Sequence, residues 1–154
     1  MHFNLYSYQK HLPWIAPIIL TVLSACSTIT AYDQYAYATA VGLKVDTLNL
    51  VGLATESYAS HAKEVADLTV RLDKAYEYDR GRLLNQKSVQ LWDYLLFTKS
   101  DDPDSGVFPR FVQTWKTQGH LSAGAVALKK STFSRDFDRI IGLESGKIKP
   151  NSVN

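Results

Sequence analysis

Residues that could do chemistry are few in this sequence and lie far apart. Ser57, His61 and Glu64 are four and three positions apart, so a helix would place them on one face. A zinc site needs three or four ligands, and a nucleophilic serine needs an oriented base and an oxyanion hole. After residue 26 the only other histidine is His120, and no glycine-rich turn accompanies Ser57. The sequence therefore predicts neither a metal centre nor a catalytic residue here, and His61 is interpreted as the flank of a helix stripe.

An acidic segment before Gly106 is the second candidate, with Asp101, Asp102 and Asp104. An EF-hand loop places oxygen ligands at alternating positions, with glycine sixth and a bidentate glutamate twelfth. If Asp101 is first, proline falls third and Val112 twelfth, so the spacing fails. We interpret the segment as an ordinary loop between helices. Phosphate-cradling and dinucleotide-binding fingerprints are also absent from the sequence. The sequence therefore predicts a protein that is not an enzyme and has no cofactor.

The strongest chemical signal is Leu23-Ser24-Ala25-Cys26, which contains the only cysteine. An aliphatic residue, two small residues and a cysteine in this order resemble the lipobox of bacterial lipoproteins. The resemblance implies cleavage between Ala25 and Cys26, a diacylglycerol on the sulfur and an acyl chain on the new amino group. Each buried methylene contributes about 0.8 kcal/mol, and two chains already give stable anchoring. A lipidated Cys26 leaves no thiol for a disulfide, a metal site or thiol catalysis.

The residues before Cys26 fit a signal peptide. Lys10 supplies a positive charge, and residues 14–23 form a short, mostly apolar run that contains Pro17. A membrane-spanning helix needs roughly 20 apolar residues, about twice this length. The sequence therefore predicts a signal peptide at residues 1–25 and a lipidated tether at residues 26–31. In Gram-negative lipoproteins an aspartate after the cysteine commonly retains the protein in the inner membrane. This chain has Ser27, so the resemblance implies the outer membrane, facing the periplasm; in a host with one membrane it implies the outer face.

A helical domain is predicted for residues 32–146, with a disordered tail at 147–154. No proline lies between Pro17 and Pro103, and apolar positions recur about every 3.5 residues. This pattern predicts an all-α fold, a small helical bundle whose first helix runs about 45 residues to near Tyr78, although short strands are an alternative for residues 41–51. Three further helices are predicted near residues 84–98, 109–118 and 122–143. The first helix's proposed core stripe is Val41, Val45, Leu48, Val51, Thr55, Tyr58, Ala62, Val65, Thr69, Leu72 and Tyr76.

Charge is distributed unevenly along the chain. Residues 33–104 carry 8 Lys/Arg and 12 Asp/Glu, whereas residues 105–154 carry 8 and 3. One interpretation is that opposite charges pair within the domain or are simply solvated. The other is that the basic half contacts an anionic partner, such as phospholipid or lipopolysaccharide headgroups. The candidate contact residues are Lys129, Lys130, Arg135 and Arg139.

Three tyrosines follow the predicted anchor: Tyr32, Tyr35 and Tyr37. A tyrosine suits a membrane interface because its ring is apolar and its tip polar. The same residues could instead cap one end of a bundle. The sequence favours a non-enzymatic lipoprotein that binds or scaffolds an envelope protein, and the alternative is a lipid- or polymer-binding module using the basic C-terminal half. A homodimer through the long stripe is possible, and nucleic acid is not an expected partner.

Overall fold

Helices account for nearly all of the regular structure in this computed structural model, which describes residues 32–102, 104–149 and 152. Within those residues, α1 spans Gln34–Gly52, α2 Ala62–Arg80, α3 Gln86–Leu96, α4 Val107–Gln118 and α5 Ala123–Glu144. Short 3-10 helices span Leu53–Thr55 and Tyr58–His61, and a single isolated bridge joins Lys99 and Asp102. The predicted all-α bundle is confirmed.

The predicted first helix of about 45 residues is wrong in its length. The chain leaves the α-helix at Gly52 and resumes it at Ala62. Between them Glu56 and Ser57 have extended backbones, with ψ of 173° and 129°. The result is an antiparallel hairpin of α1 and α2. Asp33 before α1 lies beside Tyr78 at the end of α2.

Tertiary hydrogen bonds explain why the helix breaks where the apolar pattern continues. The amide of Tyr58 donates to the carbonyl of Gly119 at 2.8 Å, and the amide of Leu121 donates to Ala54 at 2.7 Å. The indole of Trp115 donates to the carbonyl of Glu56 at 2.9 Å. Backbone groups that a continuous helix would pair internally are thus satisfied by the α4–α5 turn. Side-chain periodicity cannot reveal this exchange.

The buried stripe of α1 differs from the predicted one. Val45 is 53 % exposed, and Val41 and Leu48 are only partly buried. Residues on the true stripe include small side chains, which a hydropathy pattern ranks below valine but which allow helices to pack closely. In α2 the predicted core residues Val65 and Leu72 are buried. The stripe of α1 comprises Ala36, Ala40, Leu43, Thr47, Leu50 and Val51.

Helices α3, α4 and α5 follow their predicted spans to within about two residues. Ser122 caps α5, where its hydroxyl accepts a hydrogen bond from the amide of Ala125 at 3.2 Å. Helix α5 runs antiparallel to α1, since Leu121 meets Ala54 at one end and Lys44 pairs with Asp138 at 2.6 Å further along. Aromatic side chains fill the space between α3, α4 and α5, with rings packed edge-on or tilted. They are Trp92, Phe108, Phe111, Trp115, Phe133 and Phe137.

The chain beyond α5 turns back on the helix. The amide of Ile148 donates to the carbonyl of Gly142 at 3.0 Å, and the Ile148 side chain covers Gly142 so closely that a methyl group there would collide. Residues 150, 151, 153 and 154 lie outside the described residues. The predicted disorder of residues 147–154 therefore stays a prediction, and it does not describe Ile148.

Gly106 is required where the acidic loop enters α4. Its φ is +69°, and its amide donates to the carbonyl of Tyr94 at 2.8 Å. A methyl group at this position would collide with the Thr98 side chain and lie 2.8 Å from the Thr98 amide nitrogen. No side chain fits at position 106, because the left-handed backbone disfavours a Cβ and the adjacent Thr98 leaves no room for one.

We expect Gly106→Ala to lower the free energy of unfolding by about 2 kcal/mol or more, because it combines a left-handed backbone with a collision. Gly146→Ala is the matched control, since φ is also +69° there but no neighbouring atom lies within 4 Å of the added methyl. Its free energy of unfolding should fall less, and that of Gly42→Ala, in mid-helix with open space, should rise by up to about 1 kcal/mol. Urea unfolding of the three variants tests this order. Equal losses at positions 106 and 146 would refute the collision.

Candidate functional site

A buried cluster of charged side chains surrounds Arg82, in the loop between α2 and α3. The Arg82 side chain is 12 % exposed, and those of Asp79 and Glu144 are 4 % and 2 % exposed. Its Nη1 lies 3.0 Å from Asp79 Oδ1 and 2.5 Å from Glu144 Oε2, and its Nε lies 3.6 Å from Asp33 Oδ2. One guanidinium thus contacts three carboxylates, from the cap of α1, the end of α2 and the end of α5.

The remaining carboxylate oxygens also have donors. Asp79 Oδ2 accepts from the Trp92 indole at 2.6 Å, and Glu144 Oε1 accepts from the Ser88 hydroxyl at 2.5 Å, both on α3. A buried carboxylate needs this complete pairing, since each unsatisfied oxygen would raise the free energy of the folded state. We call Asp33, Asp79, Arg82, Ser88, Trp92 and Glu144 the Arg82 cluster.

Local sequence places these residues together. Asp79 continues the buried stripe of α2, seven residues after Leu72 and fourteen after Val65. Asp33 caps α1, where its Oδ1 accepts from the amides of Tyr35 and Ala36 at 2.8 and 3.0 Å. Its other oxygen accepts from the Tyr78 hydroxyl at 2.7 Å.

Burial sets the electrostatics of the cluster. It raises the pKa of Asp79 above its ordinary value, and the nearby Glu144 carboxylate adds to the rise, against the opposing effects of Trp92 and Arg82. Burial by itself lowers the pKa of Arg82, but the hydrogen bonds to Glu144 and Asp79 outweigh it and the net change is upward. The guanidinium therefore stays charged, and it is the counter-charge on which both buried carboxylates depend.

An open cleft of about 490 Å³ borders this cluster. Arg82 lines it, whereas Asp79 and Glu144 do not. A pair of carboxylates with shifted pKa can serve as general acid and base, but only within reach of a substrate. Because the two carboxylates sit behind the arginine with every oxygen engaged, their chemistry here is structural. The other lining residues are Arg80, Leu83, Leu84, Asn85, Gln86, Val89 and Gln90.

His61 lies at the opposite end of the bundle, against Trp115. The two rings are 5.9 Å apart, and His61 Nε2 lies 2.9 Å from Glu56 Oε2. Glu64 Oε1 is 3.7 Å from Nδ1. The hydrogen bond to Glu56 raises the pKa of His61, and the charge of Glu64 adds to the rise despite the opposing effect of burial. His61 thus joins an ion pair that fixes the α1–α2 connection.

The acidic loop forms a turn held by its own groups. Asp102 Oδ1 accepts from the amide of Asp104 at 3.0 Å, and its carbonyl accepts from the Ser105 hydroxyl at 2.6 Å. Within residues 32–102, 104–149 and 152, no three histidine, cysteine, aspartate or glutamate side chains converge as a metal site would require. Neither this loop nor the His61–Glu64 pair gathers a ligand set.

Asp136 is a further buried carboxylate that the sequence did not single out. Its side chain is 5 % exposed, and burial raises its pKa, against the opposing charge of Arg135. Arg135 Nε lies 3.4 Å from Oδ1, whereas Oδ2 accepts no hydrogen bond from any described residue. Asp136 faces the packed side of α5 and does not line the cleft.

The four basic residues proposed for an anionic contact all lie on α5 but do not share one face. The Lys130 side chain reaches the end of α1, since a Cβ added to Gly52 would lie 2.9 Å from its Nζ. Arg139 is nine residues further along, roughly 180° around the helix. Arg135 is 68 % exposed beside Asp136, and Lys129 is half-buried. No single face of α5 therefore gathers these four residues, and the contact with an anionic surface stays a prediction.

Both residues of the predicted cleavage site, Ala25 and Cys26, lie outside the described residues, as do the signal peptide and tether. The sequence predicts a helix end near Tyr78, and α2 ends at Arg80. Sequence reasoning missed the clustering of Asp79, Arg82 and Glu144. A signal was present, because Asp79 is a charged residue on an otherwise apolar heptad position.

Comparisons of this chain with known protein families, curated proteins and solved structures give no significant match. Within the described residues, no helix is long and apolar enough to cross a membrane.

We expect Arg82→Met to lower the free energy of unfolding by about 3–5 kcal/mol at pH 7, because it strands two buried carboxylates without a counter-charge. Arg80→Met is the matched control: Arg80 is 59 % exposed and pairs with Glu77, so its loss should stay within about 1 kcal/mol. The loss at Arg82 should shrink as the pH falls, since protonation removes the stranded charge. Denaturant unfolding at several pH values measures both. Similar small losses for the two variants would show that Arg82 is not the essential counter-charge.

A second expectation concerns pH. Because the folded pKa of His61 is raised above 6.5, its contribution to stability is fully present below pH 6.5 and is lost as the pH rises through the folded value. Glu56→Gln should move the His61 titration toward lower pH and weaken this dependence. Titration of the His61 ring signals by NMR, in the unsubstituted protein and in Glu56→Gln, measures the shift. A His61 titration midpoint at or below 6.5 in the unsubstituted protein would contradict the ion pair.

Proposed function

We propose that this chain is a bacterial lipoprotein of the cell envelope, anchored through Cys26, whose helical domain has a non-enzymatic scaffold or protein-interaction role. The observation that carries the proposal is Leu23-Ser24-Ala25-Cys26 after a short apolar run. Charge, run length, small residues and cysteine must coincide for this pattern, and the cysteine is the only one in the chain.

The position of the domain relative to Cys26 supports an anchored protein. The first described helix is capped by Asp33, seven residues after Cys26. That interval is long enough to pass the headgroup region and short enough to keep the domain at the surface, since an extended chain spans at most about 3.3–3.6 Å per residue. With Ser27 after the cysteine, we propose the outer membrane of a two-membrane host, with the domain in the periplasm.

The chemistry of the described polar groups supports a binding role over catalysis. The buried carboxylate oxygens of the Arg82 cluster accept hydrogen bonds from other members of the cluster. His61 is hydrogen-bonded to Glu56 and packs against Trp115. A catalytic constellation needs a nucleophile or base within reach of a pocket. The cleft beside Arg82 instead presents a guanidinium, amides and aliphatic side chains, which is a recognition surface.

The long stripe proposed for a homodimer is used within one chain. Val51, Val65 and Leu72 are buried in the core that α1, α2 and α5 share. We therefore propose a domain that is complete as one copy and engages an envelope partner through its exposed surface.

Cysteine replacement tests the proposal. In a bacterial host, the unsubstituted protein should incorporate a fatty-acid analogue and fractionate with membranes, because the lipidated cysteine is the first residue of the mature chain. Cys26→Ser should lose the label and keep the signal peptide, seen as a larger species on a gel. Ser27→Ala, which leaves the lipobox intact, is the matched control and should still be labelled. If the Cys26→Ser protein is labelled, or if the unsubstituted protein is not labelled, the proposal is wrong.

A further inference from the structure

Large apolar side chains stay exposed at the end of the bundle that holds Arg82. Tyr32 and Tyr35 are 61 % and 62 % exposed, and Tyr78 is 40 % exposed. In the α2–α3 loop Leu83 is 86 % and Leu84 52 % exposed. We call these five residues the tyrosine–leucine patch. Single exposed apolar residues are ordinary, whereas several at one end of a bundle indicate an interaction surface.

The patch is one structural unit, although its residues come from three segments. The rings of Tyr35 and Tyr78 lie 4.8 Å apart, which joins the start of α1 to the end of α2. The Tyr78 hydroxyl donates to Asp33 at 2.7 Å, and Asp33 also contacts Arg82, which directly precedes Leu83. The Arg82 cluster therefore fixes the relative positions of the tyrosines and the loop.

Chain length places this patch beside the predicted lipid. Tyr32 follows Cys26 by six residues, a distance of at most about 20 Å when fully extended. The surface nearest the acyl chains is therefore the one that carries exposed tyrosines and leucines. Tyrosine is enriched where hydrocarbon meets headgroups, because its ring enters the apolar layer while its hydroxyl stays hydrated.

Basic side chains stand at the same end. Lys147 is exposed just after Glu144, a member of the Arg82 cluster, and Lys87 lies in the first turn of α3. Arg80 lines the adjoining cleft, but its charge is offset by Glu77 at 2.7 Å. The two lysines suit a surface of anionic phospholipid.

We propose that the tyrosine–leucine patch seats on the phospholipid surface, so that the lipoprotein has two membrane contacts: the acyl chains of Cys26 and this end of the bundle. The occupant of the patch is thus the bilayer interface. The domain stands in one orientation, with Trp115 and the α4–α5 turn directed away from the bilayer. The inference rests on the lipid anchor of the proposed function.

Depth-dependent quenching of tryptophan fluorescence tests the seating. The full lipidated protein is reconstituted in vesicles of phosphatidylcholine and phosphatidylglycerol, with or without brominated acyl chains, which quench nearby indoles. Tyr35→Trp and Leu83→Trp place probes on two segments of the patch. Leu128→Trp, at a position 67 % exposed on α5, is the matched control. The unsubstituted protein gives the background, whose Trp92 and Trp115 are buried.

Both patch probes should lose most of their added emission in brominated vesicles, and the Leu128→Trp probe should lose almost none. Quenching at position 35 alone would overturn the inference, since closeness to the anchor would then explain it without seating of the loop. An equal degree of quenching of all three probes by the brominated lipid would overturn it as well. Mass spectrometry of the same preparations separates the two proposals: a Cys26 without acyl chains contradicts the proposed function, whereas an acylated Cys26 with unquenched probes contradicts the seating alone.

Discussion

One arginine among three carboxylates is the interaction on which this end of the bundle depends. Arg82 contacts Asp33, Asp79 and Glu144, which belong to the cap of α1 and the ends of α2 and α5. The planar guanidinium carries five N–H donors in a fixed fork, so it holds several carboxylates in set directions, whereas the three donors of a lysine rotate freely. Burying two carboxylates is unfavourable unless they are paired, so the helix ends must converge on Arg82 for the fold to be stable. The position of the α2–α3 loop, and with it the surface around Leu83, follows from that convergence.

The other end is organised by backbone hydrogen bonds instead of charge. The α1–α2 connection and the α4–α5 turn are joined by two backbone hydrogen bonds, from Tyr58 to Gly119 and from Leu121 to Ala54. Trp115 fills the space between them and donates its indole hydrogen to the connection. Because two loops satisfy each other, neither needs a regular helix through that region. The α1–α2 connection and the α4–α5 turn are thereby held together at this end of the bundle.

These two ends give the domain a polarity that an anchored protein can use. A tether alone leaves a domain free to rotate over the membrane, so its distal surfaces would meet partners in any orientation. The exposed tyrosines and leucines share Asp33 and Arg82 with the buried cluster, so the interior of the bundle determines the shape of this outer surface. In the proposed seating, the Trp115 end would face away from the membrane. Orientation and stability would then depend on the same arginine.

The sequence by itself determined the all-α class and the positions of the last three helices, because these depend on local propensity and periodicity. It also supplied the lipobox pattern, a local signal that needs no fold. Only the tertiary structure decided that residues 53–61 leave the α-helix, since their hydrogen-bond partners lie about sixty residues away at Gly119 and Leu121. It also decided which stripe of α1 is buried, because small residues are selected by the closeness of the neighbouring helix rather than by hydropathy. The sequence marks Asp79 as a charged residue on an apolar heptad position, but it does not supply the partners: Arg82 and Glu144 are distant in the chain, and their pairing exists only once α5 has packed beside α1 and α3.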